Sequence, residues 1–128
     1  MTASLDEARR FVRLAQDDFA AFEVLVTQPQ IRQGLAFFHA QQAIEKSLKA
    51  VLFANAVPVR RTHDLYALAD LLNQSGIATP HTPEELACVN PYAVESRYGD
   101  DVSPFVSPAQ VRTLSANVLA WAVTQVAL

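Results

Sequence analysis

The chain has 128 residues, 51% of them apolar and 18% charged, with a formal net charge of −3. At this length about two-thirds of the unfolded surface can be buried, so one compact domain over residues 1–128 needs no disulfide or metal to make its core, and the composition excludes intrinsic disorder. The acidic balance excludes sequence-independent binding to duplex DNA, and the longest apolar run, Val118 to Val123, is far short of the roughly 20 residues of a membrane helix.

The first segment places Leu5, Ala8, Val12, Ala15, Phe19, Phe22 and Val26 at an unbroken spacing of three and four, which predicts a long amphipathic helix. Ser4 and Glu7 read as its capping box and Pro29 as its stop. A second helix is predicted from about Ile31 to Ala56, with Phe37, Ala40, Ile44, Ser47, Val51 and Ala54 on one seam. On its opposite face His39, Gln42, Lys46 and Lys49 form a polar and basic stripe about three turns long. A third helix is expected from Thr62, read as its N-cap, with Leu65, Leu68, Leu71 and Leu72 inward and Gly76 as terminator. Thr82, Pro83 and Glu85 signal the start of a fourth, which Pro91 must kink or restart. Ser107, Pro108 and Gln110 open the last helix, with Val111, Leu114, Val118 and Trp121 as its seam. No period-two strand is present. The pattern predicts an all-α fold, an up-and-down antiparallel four-helix bundle with an additional short kinked helix.

Charge is distributed unevenly along this frame. Residues 32–63 carry five basic side chains against the single acid Glu45, whereas residues 64–101 carry seven acids against Arg97 alone. His39, His63 and His81 lack metal-ligand spacing, so no metal or other cofactor is expected. Cys88 reads as a small core residue, and a lone cysteine suits the cytoplasm. The opening MTASLDEARR is acidic and polar, unlike a secretory signal. The stripe has two readings: a site where Lys46 and Lys49 meet phosphate oxygens with Arg60, Arg61 or Arg97 adding forked contacts, or a solvated face on which Glu45 pairs with Lys49 four residues on. In Thr62-His63-Asp64, a cap and the helix dipole explain the threonine and the aspartate, while His63 is open to a packing role or a base role. Around Tyr98, Glu95, Arg97, Asp100 and Asp101 could position a nucleotide or form ion pairs about a turn.

The run Phe38-His39-Ala40-Gln41-Gln42-Ala43-Ile44-Glu45-Lys46-Ser47-Leu48-Lys49-Ala50, followed by Thr62-His63-Asp64-Leu65 and Ser96-Arg97-Tyr98, resembles the HEPN domain in order and spacing. That resemblance implies a helical bundle that forms a homodimer and pairs with a minimal nucleotidyltransferase in a toxin–antitoxin-like system. It also implies nucleotide binding or, in a large subset, metal-independent cleavage of RNA by an Arg and a His with four to six residues between them on a late helix. No histidine follows Arg97 here, and the family's Arg-Tyr-Pro is Arg-Tyr-Gly; Arg32 and His39 have the right separation in the wrong helix. Catalytic residues are therefore not assigned. The positions matching the family are Gln42, Lys46, Lys49, His63, Asp64, Arg97 and Tyr98, which with His39 make the expected nucleotide- or partner-binding set. The expected function is a non-catalytic HEPN module; a HEPN ribonuclease acting through His39 or His63, and a structural dimerisation domain, are the alternatives.

Overall fold

The computed structural model describes residues 2–59, 61–94 and 106–126, and these are helical with no strand among them. The helices are α1 (Thr2–Leu25), α2 (Gln33–Ala54), α3 (Leu65–Gln74), α4 (Pro83–Ala87) and α5 (Pro108–Val126), with a 3-10 turn at Asn90–Tyr92. The turn is the restart that Pro91 demands. Arg60, Arg97, Tyr98 and Phe105 lie outside the described residues.

The α1 seam packs on α2, and the pairing of Phe22 with Phe37 at one end and Phe11 with Phe53 at the other makes the two helices antiparallel. Glu23 near the end of α1 meets Arg112 near the start of α5, while Ala8 and Val12 pack with Val126, so α5 also runs against α1. An up-and-down order follows, with α2 in the middle. Its buried residues run from Gly34 to Leu52 and include side chains on every side of the wheel, because α1, α3 and α5 all lean on it. The main core joins Phe22, Phe37, Ile44, Leu48, Leu68, Leu72, Leu86, Val111 and Val118; a smaller cluster of Ala8, Val12, Ala50 and Val126 closes the other end.

Local signals set most of the element ends. Thr82 and Glu85 bond each other's backbone N–H as a capping box, and Ser107 with Gln110 does the same before α5. Helices α2 and α3 end identically: Val57 N–H bonds Leu52 O and Ala56 N–H bonds Phe53 O, as Ile77 N–H bonds Leu72 O and Gly76 N–H bonds Asn73 O. Each pair leaves one residue left-handed, Gly76 at φ 85° and Ala56 at φ 54°.

Three expectations need correction. The helix α1 is already formed at Thr2, so Ser4 and Glu7 cap nothing: the Ser4 hydroxyl donates to the Phe53 carbonyl of α2, and Glu7 accepts from Arg10. Thr62 is not the N-cap of α3. That cap is Asp64, whose carboxylate accepts from Tyr66 N–H, while Thr62 accepts from Asp64 N–H. Cys88 is exposed, because α4 stops at Ala87 and the apolar spacing that would have turned it inward does not continue.

Candidate functional site

The stripe on α2 is neither bare nor fully solvated. Lys49, 14% exposed, donates to Glu45 Oε2 at 3.0 Å, one turn away on the same helix. Lys46 donates to Asp18 Oδ2 of α1 at 2.6 Å, and His39 Nδ1 lies 2.9 Å from the other oxygen of that carboxylate. Two acids therefore organise the basic face, one from each side of it.

Glu45 is buried, its side chain only 6% exposed. An ionised carboxylate in such a place must be hydrogen-bonded on both oxygens. Oε2 takes Lys49; Oε1 takes Gln41 Nε2 at 3.2 Å, Gln42 Nε2 at 3.4 Å and His63 Nδ1 at 2.9 Å. Gln41, fully buried, spends its second N–H on the His63 carbonyl, and its own oxygen accepts from Gln42 at 2.7 Å. The polar side chains of α2 thus close on each other and on the segment entering α3.

That segment is held by non-local contacts as well. Asp64 Oδ1 accepts from Tyr66 N–H at 3.0 Å and from Asn90 Nδ2 at 2.9 Å, and Asn90 Oδ1 accepts from Leu65 N–H at 2.8 Å. These bonds fix the turn from which His63 projects with its side chain 67% exposed. Since an ionised Glu45 carboxylate can only accept, Nδ1 is the donor of this bond, and Nε2 is the ring nitrogen left without a bond to the carboxylate.

Of the expected set, Gln42, Lys49 and His63 converge on Glu45, whereas His39 and Lys46 converge on Asp18. Asp64 belongs to the α3 cap, and Arg97 and Tyr98 lie outside the described residues. The residues that sequence reasoning missed are Asp18, Gln41 and Asn90. Asp18 had a readable signal, because it stands three residues after Ala15 and four before Phe22, in the seam that α1 turns toward α2.

A separate cleft of about 410 Å³ lies between α4 and the start of α5, lined by His81, Glu85, Cys88, Ala109, Gln110, Thr113 and Leu114. It shares no residue with either carboxylate cluster. His81 Nε2 faces Asn117 Nδ2 at 3.1 Å, and its Nδ1 lies 3.5 Å from Glu85 Oε1. The backbone N–H of Thr82, then the nearby His81, hold the Glu85 carboxyl below its usual range. Partial desolvation, reinforced by Glu85, pushes the Cys88 thiol up, the reverse of what an activated nucleophile needs. Among the described residues no three His, Cys, Asp or Glu side chains are grouped to hold a metal ion, and no helix is long and apolar enough to cross a membrane.

Neither a curated protein nor a solved structure matches this sequence. A family does: the HEPN domain matches residues 3–118, nearly the whole chain. The helical bundle agrees with it, and the chain belongs to the HEPN domain family.

Proposed function

We propose that the protein is a non-catalytic HEPN module that binds a nucleotide through the α2 face, works as a homodimer in the cytoplasm, and pairs with a minimal nucleotidyltransferase in a toxin–antitoxin-like arrangement. The observation that carries the nucleotide reading is the fixing of two ammonium groups on one helical face by carboxylates beneath them. Each lysine spends one N–H on its acid and keeps two, so the pair is pre-organised to grip phosphate oxygens with little ordering cost. Asp18 and Glu45 balance the two lysines, which removes the excess positive field that a long RNA would need and favours a ligand with few phosphates. Family membership supports the pairing with a nucleotidyltransferase.

The non-catalytic reading rests on separation. His39 and His63 answer to different carboxylates, and the arginines seen in ion pairs among the described residues, Arg10 and Arg112, engage Glu7 and Glu23 instead of either cluster. RNA cleavage is the second reading, favoured by the carboxylate-bound His63 alone.

Thermal unfolding with ATP, GTP and a short RNA tests both. A ligand at 100 times its dissociation constant adds about 2.7 kcal/mol of stability, which moves the midpoint by several degrees. Lys46→Gln with Lys49→Gln should abolish the nucleotide shift. The shift within each variant is compared, since these substitutions lower the unliganded midpoint by stripping Asp18 and Glu45 of partners. The absence of any nucleotide shift in the unaltered protein overturns the binding reading, and cleavage of RNA that His63→Ala abolishes overturns the non-catalytic one.

A further inference from the structure

Three histidines in this fold turn Nδ1 toward a carboxylate, at 2.9 Å for His39 and His63 and 3.5 Å for His81, yet they differ in what their other nitrogen meets. His81 is 17% exposed and its Nε2 already faces the Asn117 amide; His39 is 26% exposed, on the flank of α2 that α1 covers. His63 is 67% exposed, on a turn pinned by Asp64 and Asn90. Its Nε2 is the one imidazole nitrogen of the three held on a rigid, accessible support. The ammonium of Lys49 is bound to the other oxygen of the same carboxylate.

We propose that His63 Nε2 is a phosphoryl-acceptor site, with Glu45 as its positioning residue and Lys49 as the cation that meets the incoming phosphoryl oxygens. The inference goes beyond nucleotide binding and does not depend on it. The electron balance suits the geometry. The Nε2 lone pair forms the N–P bond while the bond from phosphorus to the leaving group breaks, and the leaving group departs with that electron pair: ammonia when the donor is phosphoramidate, the carboxylate when it is an acyl phosphate. The reacting form is the neutral ring protonated at Nδ1, in which Nε2 carries no proton that must be lost. The ring becomes positive with its proton still on Nδ1, and the buried Glu45 carboxylate at 2.9 Å offsets that charge where it forms. Lys49 in turn offsets the dianionic phosphoryl group. Open exposure fits an acceptor better than a general base, since an acceptor must enter another molecule's site whereas a base must enclose its own substrate.

The test uses phosphoramidate as the donor, with intact mass and peptide mapping of the acid-labile product over time. His63 should take up one phosphoryl group well before His39 or His81. Glu45→Gln retains an oxygen to accept the Nδ1–H bond but removes the charge, so labelling of His63 should slow by about tenfold while the residue stays exposed. Equal labelling of the three histidines, or a Glu45→Gln rate equal to that of the unaltered protein, overturns the proposal. If Glu45→Gln does not fold, nitrogen-15 spectra of the unaltered protein at alkaline pH decide: a neutral His63 protonated at Nδ1 is required, and the Nε2-protonated form that free imidazoles prefer sinks the idea. The absence of a nucleotide shift in the unaltered protein, which overturns the binding reading, leaves each of these measurements untouched, so the two proposals fail independently.

Discussion

Asp18 and Glu45 each collect a lysine and a histidine Nδ1, yet they do different work. Asp18 stands on α1 and draws both partners from α2, so its bonds cross between helices and tie the antiparallel pair together. Glu45 and its lysine belong to one helix; its long-range partner is the segment before α3, reached through His63 and, by way of Gln41, the His63 carbonyl. Burial differs accordingly, 13% exposure for the Asp18 side chain against 6% for Glu45. The contrast shows that the same three residue types make a helix clamp in one place and a display platform in another, depending on whether the histidine comes from a packed helix or from a turn.

The largest effect that can break this contrast is removal of the deeper acid. Glu45→Ala leaves Lys49 and the fully buried Gln41 without their acceptor, and taking away one member of a buried charged network costs about 3 kcal/mol or more. Asp18→Ala strands side chains that still reach water, 25% exposed for Lys46 and 26% for His39, and should cost about 2 kcal/mol, the scale of a charge-assisted hydrogen bond. Urea unfolding of the two variants checks the order. Equal losses would mean that burial is not what separates the clusters.

A third substitution sharpens the measurement without touching either acid. Helices α2 and α3 end in the same pair of backbone bonds, with glycine at the left-handed position of one and alanine at that of the other. A Cβ built on Gly76 meets nothing within 4 Å, so the cost of a side chain in this motif is backbone strain alone, about 1 kcal/mol. Ala56→Gly should therefore stabilise the protein by about 0.5–1 kcal/mol, read as a higher urea midpoint. It supplies a background in which Glu45→Ala stays folded long enough to be measured.

Much of the bundle was readable because its signals are local. Alternation of three and four fixed α1, and Thr82 with Glu85 and Ser107 with Gln110 fixed two helix starts. Glu45 and Lys49 were legible as a pair by spacing. What spacing does not carry is depth: it leaves a phosphate site and a solvated face both open for the stripe, and the segment leading into α3, arriving from elsewhere in the chain, closes over Glu45. Thr62 lost the cap to Asp64 for a similar reason, since Asn90, 26 residues away, secures Asp64 and Leu65 together. Asp18 carries a signal of its own, since it flanks the apolar seam beside Phe19, the kind of position where an acid implies a cation on the facing helix.

The smallest effect is the most discriminating between the clusters. His39→Ala opens part of the α1–α2 contact and removes one of the two donors to a carboxylate only 13% exposed, so a loss of about 1 kcal/mol is expected. His63→Ala removes a side chain that is mostly in water, and an exposed polar pair contributes about 0–1 kcal/mol, here at the low end because Gln41, Gln42 and Lys49 still hold Glu45. If stability instead falls as far for His63→Ala as for His39→Ala, His63 is a structural pin for the α3 segment and Glu45 is a clamp like Asp18. If it barely changes, the fold spends a buried acid, two glutamines and a lysine on orienting an imidazole that it does not need for stability, and the reason for that arrangement must lie in what the imidazole meets outside the protein.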